Sequence, residues 1–406
     1  MIGSQKKQFI RSLLGDLRNR LIKKEDKISL NDLLTEKNTE EVESLLIEKA
    51  KTKRNEDLRN LAHFYLLTGE PSKARQLLTD NGLHDYSIYI KADILEGIPV
   101  SETLDQKLQS NQKVTKKEAV IFARGVKIKE DKEKLKKILL NDGALSEEYS
   151  IWKLRAIGEA SRRIGDYKDA LRAYRRAFKL SDQKDINVLT KGKTGLKGNA
   201  NKKFNQKKAW NALRDFMDLA EQGWFLDAGT LLGFIREGEF LEHDEDLDIG
   251  FIDKEAFLAT KYKMFRSPFF ELKPGRVEEV YKVRHLNGID LDFFLYKREG
   301  EKLVKESHVY RWVFEEFDYR ERQFGPIKLP VPEEAEKHLE ETYGDWWVCR
   351  KNFDGRYDAL NVSFPNLDEL ECVVLNKAVK ALQRSDYDSA KKEINMLKRI
   401  GRDHYD

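Results

Sequence analysis

Several things are scarce in this chain of 406 residues, and each scarcity excludes a class of protein. Two cysteines, Cys349 and Cys372, are too few for a framework of disulfide bridges, so we expect a reducing compartment. No stretch without charge is longer than Asn60 to Gly69, whereas a membrane-spanning helix needs about twenty predominantly apolar residues. The first residues also lack the apolar core and cleavage site of a signal peptide. We therefore expect a soluble cytoplasmic protein, with at most peripheral contact at the inner face of a membrane.

An excess of one charge sign is also missing. Charged residues make up 36% of the chain, but 75 basic residues nearly balance 71 acidic ones and leave a net charge of +4. A balanced excess of both signs is typical of long, exposed helices, and it gives no global case for a nucleic-acid partner.

Proline is scarce in the first half, which contains only Pro71 and Pro99 among its first 200 residues. Abundant Ala, Leu, Lys, Arg and Glu with little proline favours helices. The segment from Ile151 to Asp182 resembles a tetratricopeptide repeat, with Gly158 placed where two helices must approach closely and Gly165 in the turn between them. Weaker copies begin at Leu58 and Ala378. The alternative is an ordinary irregular helical bundle, and in either case the repeats could bind a protein partner or a second copy of the chain.

The composition changes after residue 187. Residues 188–203 are rich in lysine and glycine and predict a mobile linker. The sequence Gly192-Lys193-Thr194 is not a phosphate-binding loop, because Asn187 stands where that motif requires a glycine. From residue 204 apolar runs of strand and helix length alternate, which predicts an α/β layer with a mixed sheet.

We therefore predict a multidomain α+β chain. Its parts would be an all-α, tetratricopeptide-like repeat domain over 1–187, the linker over 188–203, a nucleotidyltransferase-like α/β domain over 204–370 and a C-terminal helical hairpin over 371–406.

One stretch, Trp224 to Ile252, contains most of the candidate chemistry. It begins with a short apolar strand, a glycine turn and a helix start. Gly229 allows a ligand to approach the backbone, and Thr230 offers a hydroxyl and an N–H at a helix start, where anions bind. Arg236 follows on the same helix and could add a fork-shaped phosphate donor. These three residues are the predicted substrate-binding set, to which His285 is added because it lies near the second group of acids.

Acidic residues form two pairs on predicted strands. Asp246 and Asp248, preceded by Asp244, open one strand, and Asp290 and Asp292 lie on a later one. Residues two apart on a strand point to the same face, and neighbouring carboxylates repel unless a cation lies between them. Hard oxygen ligands near phosphate favour Mg²⁺ or Mn²⁺. The sequence predicts a metal held by Asp246, Asp248 and an acid of the second pair; a group of solvated acids is the alternative.

The order and spacing of these residues resemble the motifs of a known family. The run Gly229 to Gly233, then Arg236, then Asp244 to Ile249 closely resembles the LicD/fukutin signature. Asp292 to Tyr296 and Leu339 to Trp347 are similar to its later elements. His243 stands where the family usually has tryptophan, and Glu245 where aspartate is common.

The resemblance implies a nucleotidyltransferase-type fold and a metal-dependent phosphotransferase. Such an enzyme would move phosphocholine, or a polyol phosphate such as ribitol phosphate, from a CDP-activated donor to a hydroxyl of a surface or capsular glycan or glycolipid, and release CMP. It implies a metal on Asp246, Asp248 and Asp292, with Asp290 the alternative third ligand, and leaves the general base open among Asp290, Asp292 and Asp244. Two alternatives remain: transfer of a nucleoside monophosphate by the same carboxylates, and a repeat scaffold with an inactive catalytic domain.

Overall fold

A computed structural model describes residues 39–110, 114–140, 151–189, 205–242, 244, 246–267, 269–273, 280–307, 309–350 and 353–402. The lysine-rich segment from residue 190, His243 and Glu245 lie outside these ranges.

The first half is helical, as its composition predicts. Its helices are α1 Thr39–Ala50, α2 Asn55–Leu67, α3 Pro71–Asp80, α4 Tyr86–Glu96, α5 Ser101–Gln109, α6 Lys116–Gly125, α7 Lys129–Leu140, α8 Ile151–Arg163 and α9 Tyr167–Leu189. Most consecutive helices pack against each other, α4 also packs against α6 and α5 against α7, and α8 packs against both α6 and α7. The helical fold is confirmed, whereas a tetratricopeptide identity stays a prediction.

The α8–α9 hairpin contains the close approach that Gly158 predicts. A Cβ built on Gly158 would lie 2.8 Å from the ring of Tyr174, which is fully buried on α9. Gly165 has φ +76°, in the left-handed region that favours glycine, and it forms the turn between the helices.

The second half builds a mixed sheet with helices against it. Its strands are β1 Trp224–Leu226, β2 Asp246–Phe251, β3 Phe270–Lys273, β4 Val280–His285, β5 Asp290–Glu299, β6 Lys302–Ser307, β7 Tyr310–Glu315, β8 Tyr319–Phe324, β9 Ile327–Pro332 and β10 Val362–Ser363. Its helices are α10 Gln206–Met217, α11 Ala228–Glu237, α12 Lys254–Arg266, α13 Ala335–Tyr343, α14 Leu367–Leu382 and α15 Tyr387–Arg399.

The long strand β5 is the centre of this sheet. It pairs in parallel with β2 and antiparallel with β4 through its first half, and antiparallel with β6 through its second half. The sheet continues β1–β2–β5–β6–β7–β10, with β3 beyond β4, while β8 and β9 form a separate ribbon. A mixed sheet is the predicted architecture; β6 to β9 were not predicted.

Alternation along β2 and β5 separates an apolar face from an acidic one. Leu247 and Ile249 of β2 and Leu291 and Phe293 of β5 enter one buried core, where Phe216 of the amphipathic helix α10 packs against Phe293. The aspartates between these residues therefore point to the opposite face.

The C-terminal hairpin packs on the helical half. Helix α14 lies against both helices of the α8–α9 hairpin: Arg175 of α9 contacts Glu371 at 2.6 Å, and Arg162 of α8 contacts Glu369 at 3.3 Å. The predicted boundary at 371 falls inside α14, because Asn366 caps that helix by accepting the Glu369 N–H at 3.0 Å. The boundary at 187 likewise falls inside α9.

None of the helices in the described ranges combines the length and apolar character needed to cross a bilayer.

Candidate active site

Four of the predicted acids lie side by side on one face of the sheet. In the parallel pairing of β2 and β5, Asp246 is opposite Asp290 and Asp248 is opposite Asp292. Directly paired residues of neighbouring strands share a face. The register of β2 and β5 therefore places the two acid pairs next to each other. The spacing in the sequence predicted that the two acids of each pair share a face.

The glycine turn packs directly against Asp248. Asp227 caps α11 by accepting the Ala228 N–H at 2.7 Å, and Ala228 itself has φ +42°. The Gly229 N–H donates to Asp248 Oδ2 at 3.2 Å. A Cβ on Gly229 would lie 3.4 Å from Asp244 Oδ1 and 3.6 Å from Asp248 Oδ2. Because glycine has no side chain, the space next to these two carboxylates stays open.

Thr230 has a different role from the one predicted. Its side chain is fully buried, and its hydroxyl oxygen accepts the backbone N–H of Asp248 at 2.9 Å. The hydroxyl therefore fixes the position of β2 beneath the acids, and it does not face a ligand.

Asp248 lies among other carboxylates, which disfavours its charged form. Burial and the carboxylates of Asp246, Asp244 and Asp227 raise the pKa of Asp248 well above its usual range, and Lys305 offsets only part of this. Like charges held this close favour either a shared proton or a bound cation.

The acids of β5 are compensated by cations from β4. Arg284 holds Asp290 with two hydrogen bonds, from Nε at 2.7 Å and from a terminal nitrogen at 3.0 Å. Lys282 pairs with Asp292 Oδ2, while Asp292 Oδ1 is buried with no hydrogen-bond partner in the described part of the chain. The antiparallel register of β4 with β5 places Lys282 opposite Asp292 and Arg284 opposite Asp290.

The donor chemistry fits a hard divalent cation, and the predicted set of three ligands stays a prediction. Within the described ranges, no group of three or more His, Cys, Asp or Glu side chains is arranged to hold a metal ion. Asp292 contacts Lys282 through Oδ2 and leaves its buried Oδ1 without a hydrogen-bond partner in the described part of the chain. Mg²⁺ is commonly bound by one or two carboxylates, with waters and substrate phosphates completing its shell. The β2 acids alone are compatible with that kind of site.

Arg236 and Tyr343 border the acids. The Arg236 side chain is mostly buried, contacts Glu237 at 2.9 Å and donates to the carbonyl oxygen of Trp346 at 3.4 Å. Burial and the charges of Asp248, Asp227 and Asp244 raise the pKa of Tyr343 well above its usual range. The helix end around Tyr343 and Trp346 therefore lies beside the site.

His285 is placed elsewhere. Its side chain is buried on the apolar side of β4, where Nε2 is 2.9 Å from Asp215 Oδ2 on α10 and Nδ1 accepts the Asn287 N–H at 3.2 Å. The register that aims Lys282 and Arg284 at the acids aims His285 away from them, so the prediction of a substrate contact fails by geometry.

A buried ion pair beneath the glycine turn was not predicted. Lys305 Nζ on β6 lies 2.9 Å from Asp227 Oδ2, and the Tyr296 hydroxyl donates to Asp227 Oδ1 at 2.9 Å. Burial alone would raise the pKa of Asp227, but Lys305 and His338 hold it well below its usual range. The signal for Asp227 was its position before a helix start; nothing local in Leu303-Val304-Lys305 marks the lysine as buried.

Comparison with known proteins agrees with this geometry. Residues 221–334 match the nucleotidyltransferase domain of the LicD/FKTN/FKRP family. This confirms the predicted resemblance over the glycine turn and both acid strands, and the segment from Leu339 to Trp347 lies beyond the match.

The similar relatives are distant. The chain is 27% identical over 175 residues to ribitol-5-phosphate transferase FKTN of Mus musculus, covering 38% of this chain and 35% of the relative. It is 24% identical over 154 residues to the Homo sapiens protein of the same name, covering 35% and 33%. An uncharacterized protein of Rickettsia typhi is 22% identical over 156 residues, covering 36% and 49%. The chain thus spans about a third of the length of the FKTN relatives it matches.

Proposed function

We propose that this protein is a phosphotransferase that moves a polyol phosphate, with ribitol phosphate the first candidate, or alternatively phosphocholine, from a CDP-activated donor to a hydroxyl of a surface glycan. The observation that carries the proposal is the acid face, where Asp246 and Asp248 stand beside the Gly229 turn within a segment that matches the LicD/FKTN/FKRP nucleotidyltransferase domain. The FKTN relatives carry the name ribitol-5-phosphate transferase, which favours ribitol phosphate.

A divalent cation, Mg²⁺ or Mn²⁺, would be held by Asp246 and Asp248. When bound, it supplies positive charge that stabilises the diphosphate and the departing CMP. It would also relieve the repulsion that raises the pKa of Asp248. Asp292 is the candidate for a further ligand, through the Oδ1 that its contact with Lys282 leaves without a hydrogen-bond partner among the described residues.

The protein's own groups account for orientation and proton transfer. The hydroxyl oxygen of the acceptor attacks the distal phosphorus, the bond from that phosphorus to the oxygen of CMP breaks, and a phosphodiester forms. The hydroxyl proton needs a carboxylate within hydrogen-bond reach. We favour Asp244 as that base because its carboxylate lies against the Gly229 turn, next to Asp248. Lys282 and Arg284 then lie where they could draw the anionic donor to the same face.

A donor screen tests the reaction. The protein is incubated with CDP-ribitol, CDP-choline or CDP-glycerol, Mg²⁺ and a glycan acceptor, and CMP release is measured. CMP release with one donor supports the proposal. Failure with all three donors contradicts it, and pyrophosphate release from a nucleoside triphosphate would indicate transfer of a nucleoside monophosphate instead.

The first prediction concerns substitution of Asp248, one acid of the β2 pair. Asp248→Asn should lower turnover by about a hundredfold or more, because charge stabilisation in the transition state is usually the largest catalytic contribution. Glu255→Gln, an exposed carboxyl-to-amide change on α12, is the matched control and should leave turnover unchanged. Equal rates in the two variants would favour the scaffold alternative, in which the catalytic domain is inactive.

A further inference from the structure

A cleft separates the helical half from the sheet. It has a volume of about 1040 Å³ and lies between α2, α4 and α6 on one side and the end of α12, β3 and the turn after β4 on the other. This volume is at the upper end of small-ligand sites, which range over about 300 to 1,000 Å³.

The floor of the cleft is mainly aliphatic. Its apolar lining comes from both halves of the protein: Leu66, Leu67, Ile94, Leu95, Val120, Ile121, Phe265, Phe270 and Leu286. Most of these side chains are only partly buried, so they offer apolar surface to whatever enters. The rings of Phe270 and His285 in the lining are almost inaccessible to solvent, so the partly exposed surface is mostly aliphatic and suits a hydrocarbon chain.

Cations rim the same cleft. Lys91, Lys116, Lys117, Arg124 and Arg284 line it, and Glu271 is the one acidic side chain in that lining. Lys91 is 3.6 Å from Glu271, and Arg284 pairs with Asp290. Among the described residues, Lys116, Lys117 and Arg124 have no carboxylate within ion-pair distance.

His63 lies between the cations of the cleft. Burial first, and then the neighbouring Lys91 and Lys117, lower the pKa of His63 to about 4, against the opposite influence of Asp85 and Glu271. The two lysines are therefore close enough to His63 to act on the same part of the cleft.

We propose that this cleft binds a lipid phosphate, with the hydrocarbon chain on the aliphatic floor and the phosphate among Lys117, Arg124 and Lys91. Charge complementarity selects the anionic head, and the aliphatic lining selects the chain. The inference goes beyond the proposed transferase function, because binding is measured without a donor or turnover.

The cleft also adjoins the acid face. Arg284 lines the cleft and donates to Asp290, which is paired in register with Asp246. A molecule anchored by a lipid phosphate in the cleft would extend past this arginine to the β2 acids. A lipid-carried acceptor could be positioned in this way.

Binding of short alkyl phosphates to the full chain tests the proposal. Isothermal titration with butyl, hexyl and octyl phosphate, each below its self-association concentration, should give one saturable site. Affinity should rise by about twofold to fourfold for each added methylene, since burying one CH₂ contributes about 0.8 kcal/mol at most. Inorganic phosphate and the neutral detergent octyl glucoside are the comparison ligands, and both should bind at least tenfold more weakly than octyl phosphate.

Charge reversal at the rim supplies the matched variants. Lys117→Glu/Arg124→Glu should weaken octyl phosphate binding by at least tenfold, whereas Lys137→Glu, an exposed lysine of α7 outside the cleft, should not change it. Unchanged thermal midpoints would show that the variants fold.

Four results would overturn the inference. Affinity independent of chain length, with equal binding of inorganic phosphate, would indicate a simple anion site. Equal binding of octyl glucoside would indicate an apolar surface without charge selection. No saturable binding by the wild type, or equal effects of both charge reversals, would remove the cleft as a lipid-phosphate site. If the double variant fails to fold, the chain-length series on the wild type still decides the question.

Discussion

Lys305→Met removes the ammonium that compensates Asp227 beneath the glycine turn. Both side chains are nearly inaccessible to solvent, at 6% and 1% exposure, and their charged atoms are 2.9 Å apart. Methionine preserves most of the apolar volume of the lysine stem, which lies among the rings of Phe294, Tyr296, Trp312 and Phe314. The main change is therefore an aspartate left buried and unpaired.

The expected loss of unfolding free energy is about 3 to 5 kcal/mol, the usual cost of removing one partner of a buried ion pair. A second substitution, Lys305→Met/Asp227→Asn, should recover part of that loss, because the amide needs no counter-charge. The same double variant retains an oxygen that can accept the Ala228 N–H and cap α11.

Urea unfolding followed by far-ultraviolet circular dichroism measures these differences. Lys302→Met on the same strand is the control, because Lys302 pairs with Glu315 at the surface, where both side chains are about half exposed. Surface pairs contribute about 0 to 1 kcal/mol, so the control should shift the midpoint little.

The pH dependence of the free energy of unfolding gives an independent check on the Lys305–Asp227 pair. The pKa of Asp227 is depressed in the folded protein, so the stability it contributes is present above the pKa of the unfolded aspartate and is lost as the pH falls below it. Lys305→Met should weaken this component. The reasoning is refuted if Lys305→Met loses no more than Lys302→Met, or if adding Asp227→Asn makes the loss larger.

Two further predictions concern the helical half. In the wild type, the free energy of unfolding should fall by up to about 3 kcal/mol as the pH drops from 6.5 to about 4, because the unfolded imidazole takes up its proton before the folded one does. His63→Gln should abolish this fall. Urea midpoints across that range measure it, with the exposed His84→Gln as control; parallel curves for the two variants would contradict it. Gly158→Ala should lower the thermal midpoint by forcing Tyr174 outwards, at a cost of about 1 to 3 kcal/mol, and an unchanged midpoint would show that the helices separate freely.

Residue types and spacings were sufficient to predict the elements that carry the site. Strand β2 begins at Asp246 and β5 at Asp290, so both predicted acid pairs lie at the start of a strand. Helix α11 begins at Ala228, at the glycine turn, and Asp227 caps it. Alternation along each strand was enough to place both acid pairs on one face.

Ion pairing could not be predicted from spacing. Lys282 and Arg284 lie ten and six residues before their partners, and the pairing depends on the turn between β4 and β5, which sets the register. Lys305 is farther still from Asp227, 78 residues along the chain, and it becomes buried only when β6 folds beside β5. Ion pairs of this kind depend on tertiary structure, so they cannot be predicted from the composition or from the hydrophobic periodicity of the sequence.

The β4 cations also change what the acid face can bind. Without them, four aspartates on two strands would form one diffuse negative patch, and any pair could hold a metal. With Lys282 on Asp292 and Arg284 on Asp290, each β5 acid has a cationic partner, while on the β2 side, beside Gly229, burial and the neighbouring carboxylates raise the pKa of Asp248. The acids that the sequence presents as one group therefore differ in the fold: those of β5 are paired with β4 cations, and Asp248 of β2 lies among other carboxylates.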